Sequence, residues 1–375
     1  MSANILALRP TRAIVYKDRL RHNYRCLREF LHPEVRICAV VKANAYGHGI
    51  VQIAKVLEEE GSDALAVACL SEAWTLRCAG VKTPIHLLGL CLPEEIPAAI
   101  DADVIPFVCT ADEADLWQRA ARQAGKTIQV HLTVDTGMGR IGCPVEQAVQ
   151  LAGQIEKAPN LELTGLSTHF ARADEENARP TELQLGLFSH IANVLGRKVQ
   201  CIHAANSAGI LQFPASHYTM VRPGLMLYGY SPMENARQEL PFALKPVLHL
   251  VSRVLFLKKV PAGTPISYGA RYVTDKETWI ATVPLGYADG YARALGNRAH
   301  VVIRGRRYPV VGSICMDQMM VDVGRDTPVR LYDEVSVFGD DEGLVSAHDV
   351  AEQMGSISYE VLTSLGLRIP RIYQD

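Results

Sequence analysis

The chain has 375 residues, of which 48% are hydrophobic and 21% charged, and its formal net charge is −2. That is material for a large core and about two domains; it leaves no polybasic face for nucleic acid and no acidic tail. No apolar run approaches the ~18 residues of a membrane-spanning helix, so membrane partners are not expected either.

The opening stretch "MSANILALRPTR" lacks the cationic flank and the apolar segment of ~7–15 residues that mark a signal peptide. A cytoplasmic protein is expected. The nine cysteines, none spaced C-x-x-C, read as reduced thiols rather than as a disulfide framework or a metal site. From Ile14 to about Leu244, short apolar runs alternate with amphipathic segments. The runs predict strands at Ile37–Val41, Leu65–Cys69, Ile85–Leu88, Ile105–Val108, Ile128–Val134, Leu161–Ser167, Val199–His203 and Tyr218–Val221. Between them, "ADEADLWQRAARQAG" and "VEQAVQLAGQIEKAP" space apolar residues three and four apart and end at glycine or proline, which predicts helices. Eight such repeats predict an α/β fold, a closed (β/α)8 barrel of the TIM type over residues 10–244. A doubly wound open sheet is the competing arrangement.

After Pro246 the texture changes. "PVLHLVSRVLFLKKV", "ETWIATVPL", "HVVIRGRRYPVVG", "QMMVDV" and "DEVSVFG" are β-rich runs separated by Gly, Pro and Asp. They predict a second, mostly antiparallel β domain over residues 245–375, ending in the short helical stretches "HDVAEQMGS" and "SYEVLTSLG".

In a parallel barrel, chemistry sits at the carboxyl ends of the strands. Polar residues fall there repeatedly. Lys42 follows the first strand, Arg140 in "DTGMGRIG" the fifth and His169 in "STHF" the sixth. Asn206 and Ser207 in "HAANSAG" follow the seventh, and Arg222 and Gly224 in "VRPGLMLYG" the eighth. Each alone has a plain alternative: a solvated loop lysine, a structural histidine, an arginine capping a barrel corner, a serine capping a helix. Together they converge on one rim. The last two loops suit a phosphate, since Ser207 opens a helix and Gly224 lets the backbone approach closely. A lysine opposite a phosphate cradle suggests pyridoxal phosphate, whose aldehyde forms a Schiff base with lysine. That bond accounts for Lys42 standing directly after the apolar run in "AVVKANAYGHG".

These motifs, with "LSTHFARADE", "PISYGARY", "PLGYADGYAR", "VVGSICMDQMMVDV" and "PRIYQD", resemble the alanine racemase family in order and spacing over nearly the whole chain. The resemblance implies a barrel followed by a β domain joined by a few amino-terminal residues, 1–9. It implies a homodimer with active sites at the interface, the barrel of one chain facing the β domain of the other. Lys42 is then the Schiff-base lysine for pyridoxal 5'-phosphate; Tyr46, Ser207, Gly224 and Tyr359 match residues at the phosphate, with Asn206 beside them. Arg222 matches the residue facing the pyridine nitrogen, and His169 the ring behind it. Arg140 matches the residue that holds the substrate carboxylate. Tyr268 and Met316 match residues contributed by the partner chain, Tyr268 as the second catalytic base. Thr133 stands where several members carry a lysine whose carbamate braces the arginine, so a bound anion or another polar side chain has to take that part.

The implied reaction interconverts L- and D-alanine, supplying D-alanine for peptidoglycan. It needs a base on each face of the α-carbon, with Lys42 on the D side and Tyr268 on the L side. A phenol with its reference pKa near 10 is about one part in a thousand ionised at pH 7, a cost of roughly 4 kcal/mol. A cationic relay of His169 hydrogen-bonded to Arg222 is expected to lower that cost. Racemisation of another small amino acid such as serine, a non-catalytic cofactor carrier and a decarboxylase are the alternatives. The long β domain disfavours the carrier, and Arg222 in place of an acidic residue disfavours the decarboxylase.

Overall fold

A computed structural model describes residues 9–196, 199–233, 235, 239–339 and 344–375; of the amino-terminal residues expected to join the second domain, 1–8 lie outside the described residues. Internal contacts divide the chain into two compact units. One comprises Leu20–Ala45 and Ile50–Leu244; the other comprises the residues up to Arg19, Tyr46–Gly49 and Lys245–Asp375. The boundary is therefore not a single cut near residue 244, because two short earlier segments pack with the later unit.

The first strand, β1 (Arg12–Tyr16), belongs to that later unit. The barrel is built from β2 (Arg36–Val40), β3 (Ala64–Val67), β4 (Ile85–Leu87), β5 (Val104–Val108) and β6 (Ile128–Asp135), flanked by the short β7 (Cys143–Pro144). It continues through β8 (Leu161–Ser167), β9 (Cys201–His203) and β10 (Met220–Val221). Neighbours run β10-β2-β3-β4-β5-β6-β8-β9, all parallel. The last gap is bridged by Thr219 N–H donating to the Ile202 carbonyl at 3.1 Å and Ile202 N–H donating to Thr219 Oγ1 at 2.7 Å. The sheet thus curls back on itself as a barrel rather than lying open with free edges. Strands such as β3 and β4 are buried at every position, as expected where helices cover one face and side chains fill the other.

The covering helices follow their apolar spacing. Ile50–Glu59 buries Ile50, Ile53, Ala54, Val56 and Leu57. Ala111–Gln123 starts at a capping box, in which Thr110 Oγ1 accepts from Glu113 N–H and the Glu113 carboxylate accepts from Thr110 N–H. The predicted helix at "VEQAVQL" opens with a 3-10 turn, Val145–Gln147, before Ala148–Lys157.

The later unit holds β11 (Leu248–Arg253), β12 (Phe256–Val260), the hairpin of β13 (Pro265–Ile266) with β14 (Tyr272–Val273), β15 (Thr278–Val283) and β16 (His300–Ile303). Then follow β17 (Arg306–Val311), β18 (Met319–Gly324), β19 (Glu334–Phe338) and β20 (Arg371–Gln374). Among the described residues its main sheet runs β12-β15-β18-β17-β16-β19-β11-β1-β20. β1 pairs antiparallel with β11 and parallel with β20; the other neighbours in this sheet are antiparallel. Val260, Ile266, Ile280 and Val311 form one of its buried clusters. Helices Ala347–Met354 and Ser358–Thr363 follow β19. No described helix is long and apolar enough to cross a membrane.

Candidate active site

Lys42 stands two residues beyond β2, at the carboxyl end of the barrel. The backbone after it does something the sequence does not announce. Ala43, Asn44, Ala45 and Tyr46 all take positive φ, between 52° and 55°, making a left-handed turn of four non-glycine residues. Such residues cost ~1–2 kcal/mol each, so the surroundings must hold them there. Ala45 N–H donates to the Val41 carbonyl at 2.8 Å. Asn44 Oδ1 accepts from Ile50 N–H at 2.9 Å, and Glu72 Oε1 accepts from Ala43 N–H at 2.6 Å. The Lys42 amine has no hydrogen bond or ion pair among the described residues. Burial, Arg140 and Arg222 lower its pKa from 10.5, while Glu72 opposes them.

Arg222 follows β10 directly and is 4% exposed. Its Nη2 donates to the Thr168 and Ala204 carbonyls at 2.7 and 3.1 Å, and its Nη1 to the His203 carbonyl at 3.0 Å. Nη1 also meets His203 Nδ1, and Nη2 lies 3.4 Å from His169 Nδ1. Its Nε has no acceptor, and the guanidinium no carboxylate, among the described residues. Burial lowers its pKa to about 10, so it remains a cation at neutral pH.

A guanidinium only donates, so Nδ1 of both histidines must accept. His203 then carries its hydrogen on Nε2 and donates it to His131 Nδ1 at 2.8 Å. His86 packs on His131 with ring centroids 4.6 Å apart. Ring nitrogens of His86, His131 and His203 lie within 4.8 Å of one another. With a hydrogen on the His203 nitrogen that faces His131, these two rings form a hydrogen-bonded pair against which neutral His86 packs, rather than a ligand set open to a metal.

His169 is held neutral by its surroundings. Burial, Arg222, Arg140 and Lys42 drive its pKa down to about 3. The pair His169–Arg222 is present, but its cation is Arg222 alone.

Arg140 lies in the loop after β6, which Asp135 shapes by accepting N–H bonds from Gly137, Met138 and Gly139 at 2.9, 2.9 and 3.1 Å. Gly142, at φ +128°, closes the loop where a Cβ would sit 2.5 Å from Asp135 N. Arg140 is exposed and has no hydrogen bond or ion pair among the described residues. Thr133 instead shares a hydrogen bond with Ser167 at 2.8 Å, so among the described residues no side chain replaces the missing carbamate.

Asn206, and not Ser207, caps the helix Ser207–Gln212, its Oδ1 accepting from Gly209 N–H at 2.9 Å. Ser207 Oγ accepts from Gly224 N–H at 2.9 Å, which leaves the serine hydrogen free to donate. Lys42, Arg140, His169, Asn206, Ser207, Arg222 and Gly224 therefore all stand at the carboxyl ends of barrel strands, within one unit. The first three and Arg222 are close enough to act on one another's charges.

The remaining predicted residues belong to the other unit. Tyr46 and Tyr359 pack with ring centroids 5.9 Å apart, and burial together with Tyr359 raises the Tyr46 hydroxyl pKa. Tyr268 opens the 3-10 turn Tyr268–Ala270 and is 73% exposed; Met316 is 53% exposed. Ser313 Oγ donates to the Tyr268 carbonyl at 2.9 Å and Ser267 Oγ to the Ser313 carbonyl at 2.6 Å, tying their two loops together. A cavity of about 350 Å³ beside them is lined by Ser267, Tyr268, Cys315 and Met320 among others.

Three residues escaped the sequence reading. His203 opens the quoted "HAANSAG", and its signal was a histidine at the last position of a buried strand. His131 sits likewise inside β6. Glu72 had no signal, because a carboxylate in a helix first turn is ordinary.

Residues 15–232 match the family model of the alanine racemase N-terminal domain, and residues 247–373 that of the alanine racemase C-terminal domain. The alanine racemase of Carboxydothermus hydrogenoformans is 43% identical over 370 residues, covering 98% of this chain and 100% of that protein. A solved alanine racemase from Clostridium difficile 630 superposes with a TM-score of 0.93 at 38% identity, covering 97% of this chain and 96% of that one. That of Bacillus anthracis with bound L-Ala-P gives a TM-score of 0.92 at 39% identity, covering 98% and 95%. With both domain models matched in order along nearly its whole length, this chain belongs to the alanine racemase family of isomerases.

Proposed function

We propose that the chain interconverts L- and D-alanine with pyridoxal 5'-phosphate bound through Lys42. Beyond family membership, one observation carries this: an unpaired lysine amine shares the barrel rim with a buried arginine that meets no carboxylate among the described residues. The residues fit the cofactor. Lys42 offers an amine to the aldehyde, and Arg222 keeps Nε without a protein acceptor for the pyridine nitrogen. Ser207, its oxygen occupied by Gly224 N–H, has its hydrogen left for the phosphate, at a helix start that Asn206 caps. Tyr46 and Tyr359 are assigned to the same phosphate, and His169 to the ring face. Bound there, the cofactor supplies an electron sink that acidifies the substrate α-C–H.

The chain's residues then divide the work. Arg140 holds the substrate carboxylate. Lys42 Nζ takes or returns the proton on the D face, and Tyr268 Oη of a second copy does so on the L face, with Met316 beside it. The 73% exposure of Tyr268 supports a role toward another chain, since a large aromatic ring gains by being covered. Arg222, being donor-only, leaves the pyridine nitrogen without a proton of its own. The sink is then weak, and side reactions such as transamination are suppressed. A cytoplasmic homodimer supplying D-alanine for peptidoglycan completes the proposal.

The test is chiral chromatography of L-alanine incubated with the protein, alongside borohydride reduction and peptide mapping. D-alanine should accumulate to an equal mixture, and the pyridoxyl label should sit on Lys42. A label on another lysine, or none, would overturn the proposal.

A further inference from the structure

We propose that Glu72 is a positioning residue for Lys42, clamping the left-handed turn behind it and serving as the acidic neighbour among the cations around its amine. The part about the amine rests on the alanine racemase reading above; the clamp does not.

Ala43 N–H is the amide bonded to the Lys42 carbonyl, so the Glu72 oxygen 2.6 Å from it fixes the peptide plane immediately after the lysine. The second carboxylate oxygen accepts from Ala68 N–H at 2.8 Å, just past β3. One side chain thereby ties the turn to the end of the neighbouring barrel strand. Charged acceptors make the stronger N–H···O bonds, and four successive non-glycine residues at positive φ are where such a bond is needed. Charge points the same way. The groups acting on the Lys42 amine are Arg140 and Arg222, which disfavour its protonated form, and Glu72, which favours it. His169 stands in the same cluster but is neutral.

Two variants separate clamp from charge. Glu72→Gln keeps one oxygen to accept a backbone N–H and removes the charge; Glu72→Ala removes both. Hydrogen exchange of the full-length holoenzyme, read by mass spectrometry over residues 42–50, reports the turn without reference to turnover. In Glu72→Ala the amides of residues 43–46 should exchange at least about tenfold faster than in wild type, and in Glu72→Gln less so. In both variants the acidic limb of kcat for D-alanine, which reports the substrate complex in which the Lys42 amine is free, should move to lower pH, by roughly half a unit to one unit. The sign follows from losing a negative charge that favours the protonated amine.

Wild-type exchange at 43–46 in Glu72→Ala, or an acidic limb that stays in place in Glu72→Gln, overturns the proposal. Should Glu72→Ala yield no folded protein, the limb in Glu72→Gln decides alone. Failure of the parent function looks different: wild-type protein then leaves L-alanine unchanged or carries its label away from Lys42, while exchange at 43–46 still reports on the clamp.

Discussion

His169 and Arg222 share one positive charge, and it rests on the guanidinium. The imidazole is held near a pKa of 3 by burial and by Arg222, Arg140 and Lys42, while the guanidinium stays protonated up to about 10. Around neutral pH the pair therefore carries one positive charge. Two results are expected. Neither kcat/KM profile should show an ionisation near 6.5 that His169→Asn removes, although that variant lowers the plateau by loosening Arg222. Tyr268→Phe should abolish solvent-deuterium wash-in at the α-carbon of L-alanine, a loss of ~10²–10⁴ for a missing acid–base group. D-alanine, assigned to Lys42 in the proposed mechanism, should still exchange. Equal loss from both enantiomers in Tyr268→Phe would assign both faces to one base.

Elements were legible in the sequence to the extent that their signals are local. The apolar runs of the barrel land on their strands because a parallel strand covered on both faces must be apolar along its length. Ile128–Val134 and Leu161–Ser167 are examples, matching β6 at Ile128–Asp135 and β8 at Leu161–Ser167. Rim residues such as Arg140 and Arg222 followed from strand order and the rule that loops at one end carry the chemistry. What stayed hidden depends on partners distant in the chain. Ala43–Tyr46 contains no glycine, so nothing local forecasts left-handed backbone; the reason lies 29 residues on, in the Glu72 carboxylate. Arg12–Tyr16 falls in the stretch that the sequence reading placed with the barrel, because its partners β11 and β20 lie more than 200 residues away in the sequence. The loop carrying Arg140 is an intermediate case, written in its glycines but explained by Asp135. There Gly142→Ala would drive a Cβ into the Asp135 backbone at positive φ. Loss of ~1–3 kcal/mol of stability is expected, with KM for alanine raised more than kcat falls if Arg140 has the carboxylate-binding role proposed for it. An unchanged KM would remove Arg140 from that role.

At the scale of the whole molecule, the barrel holds three neutral histidines, His86, His131 and His203, out of the reach of water and a fourth, His169, half-buried at its rim. Unfolded, each imidazole takes up a proton as pH falls through about 6.5. Folded, His86 and His169 resist protonation down to about 3, and His131 and His203 are held well below 6.5; burial is the main cause for all four, followed by Arg222 for His86, His169 and His203 and by His86 for His131. Below 6.5 the unfolded chain therefore binds more protons than the folded one, and stability must fall with pH. The slope is about 1.4 kcal/mol per pH unit for each histidine fully inside the window, and no such loss arises above pH 7. His203 has a geometric reason to stay neutral as well, since its Nδ1 accepts from Arg222 and a protonated ring could not. His86 has none: its Nδ1 is buried without a partner, so it contributes acid lability with no bond at that atom to offset it. Urea unfolding between pH 4.5 and 7.5 should show the midpoint dropping as pH falls. In His86→Leu the proton uptake on unfolding should decrease by about one, flattening that dependence while leaving the carboxylate contribution in place. Identical slopes for wild type and His86→Leu would mean that His86 is already charged in the folded barrel, and would overturn the assignment of acid lability to its burial beside Arg222.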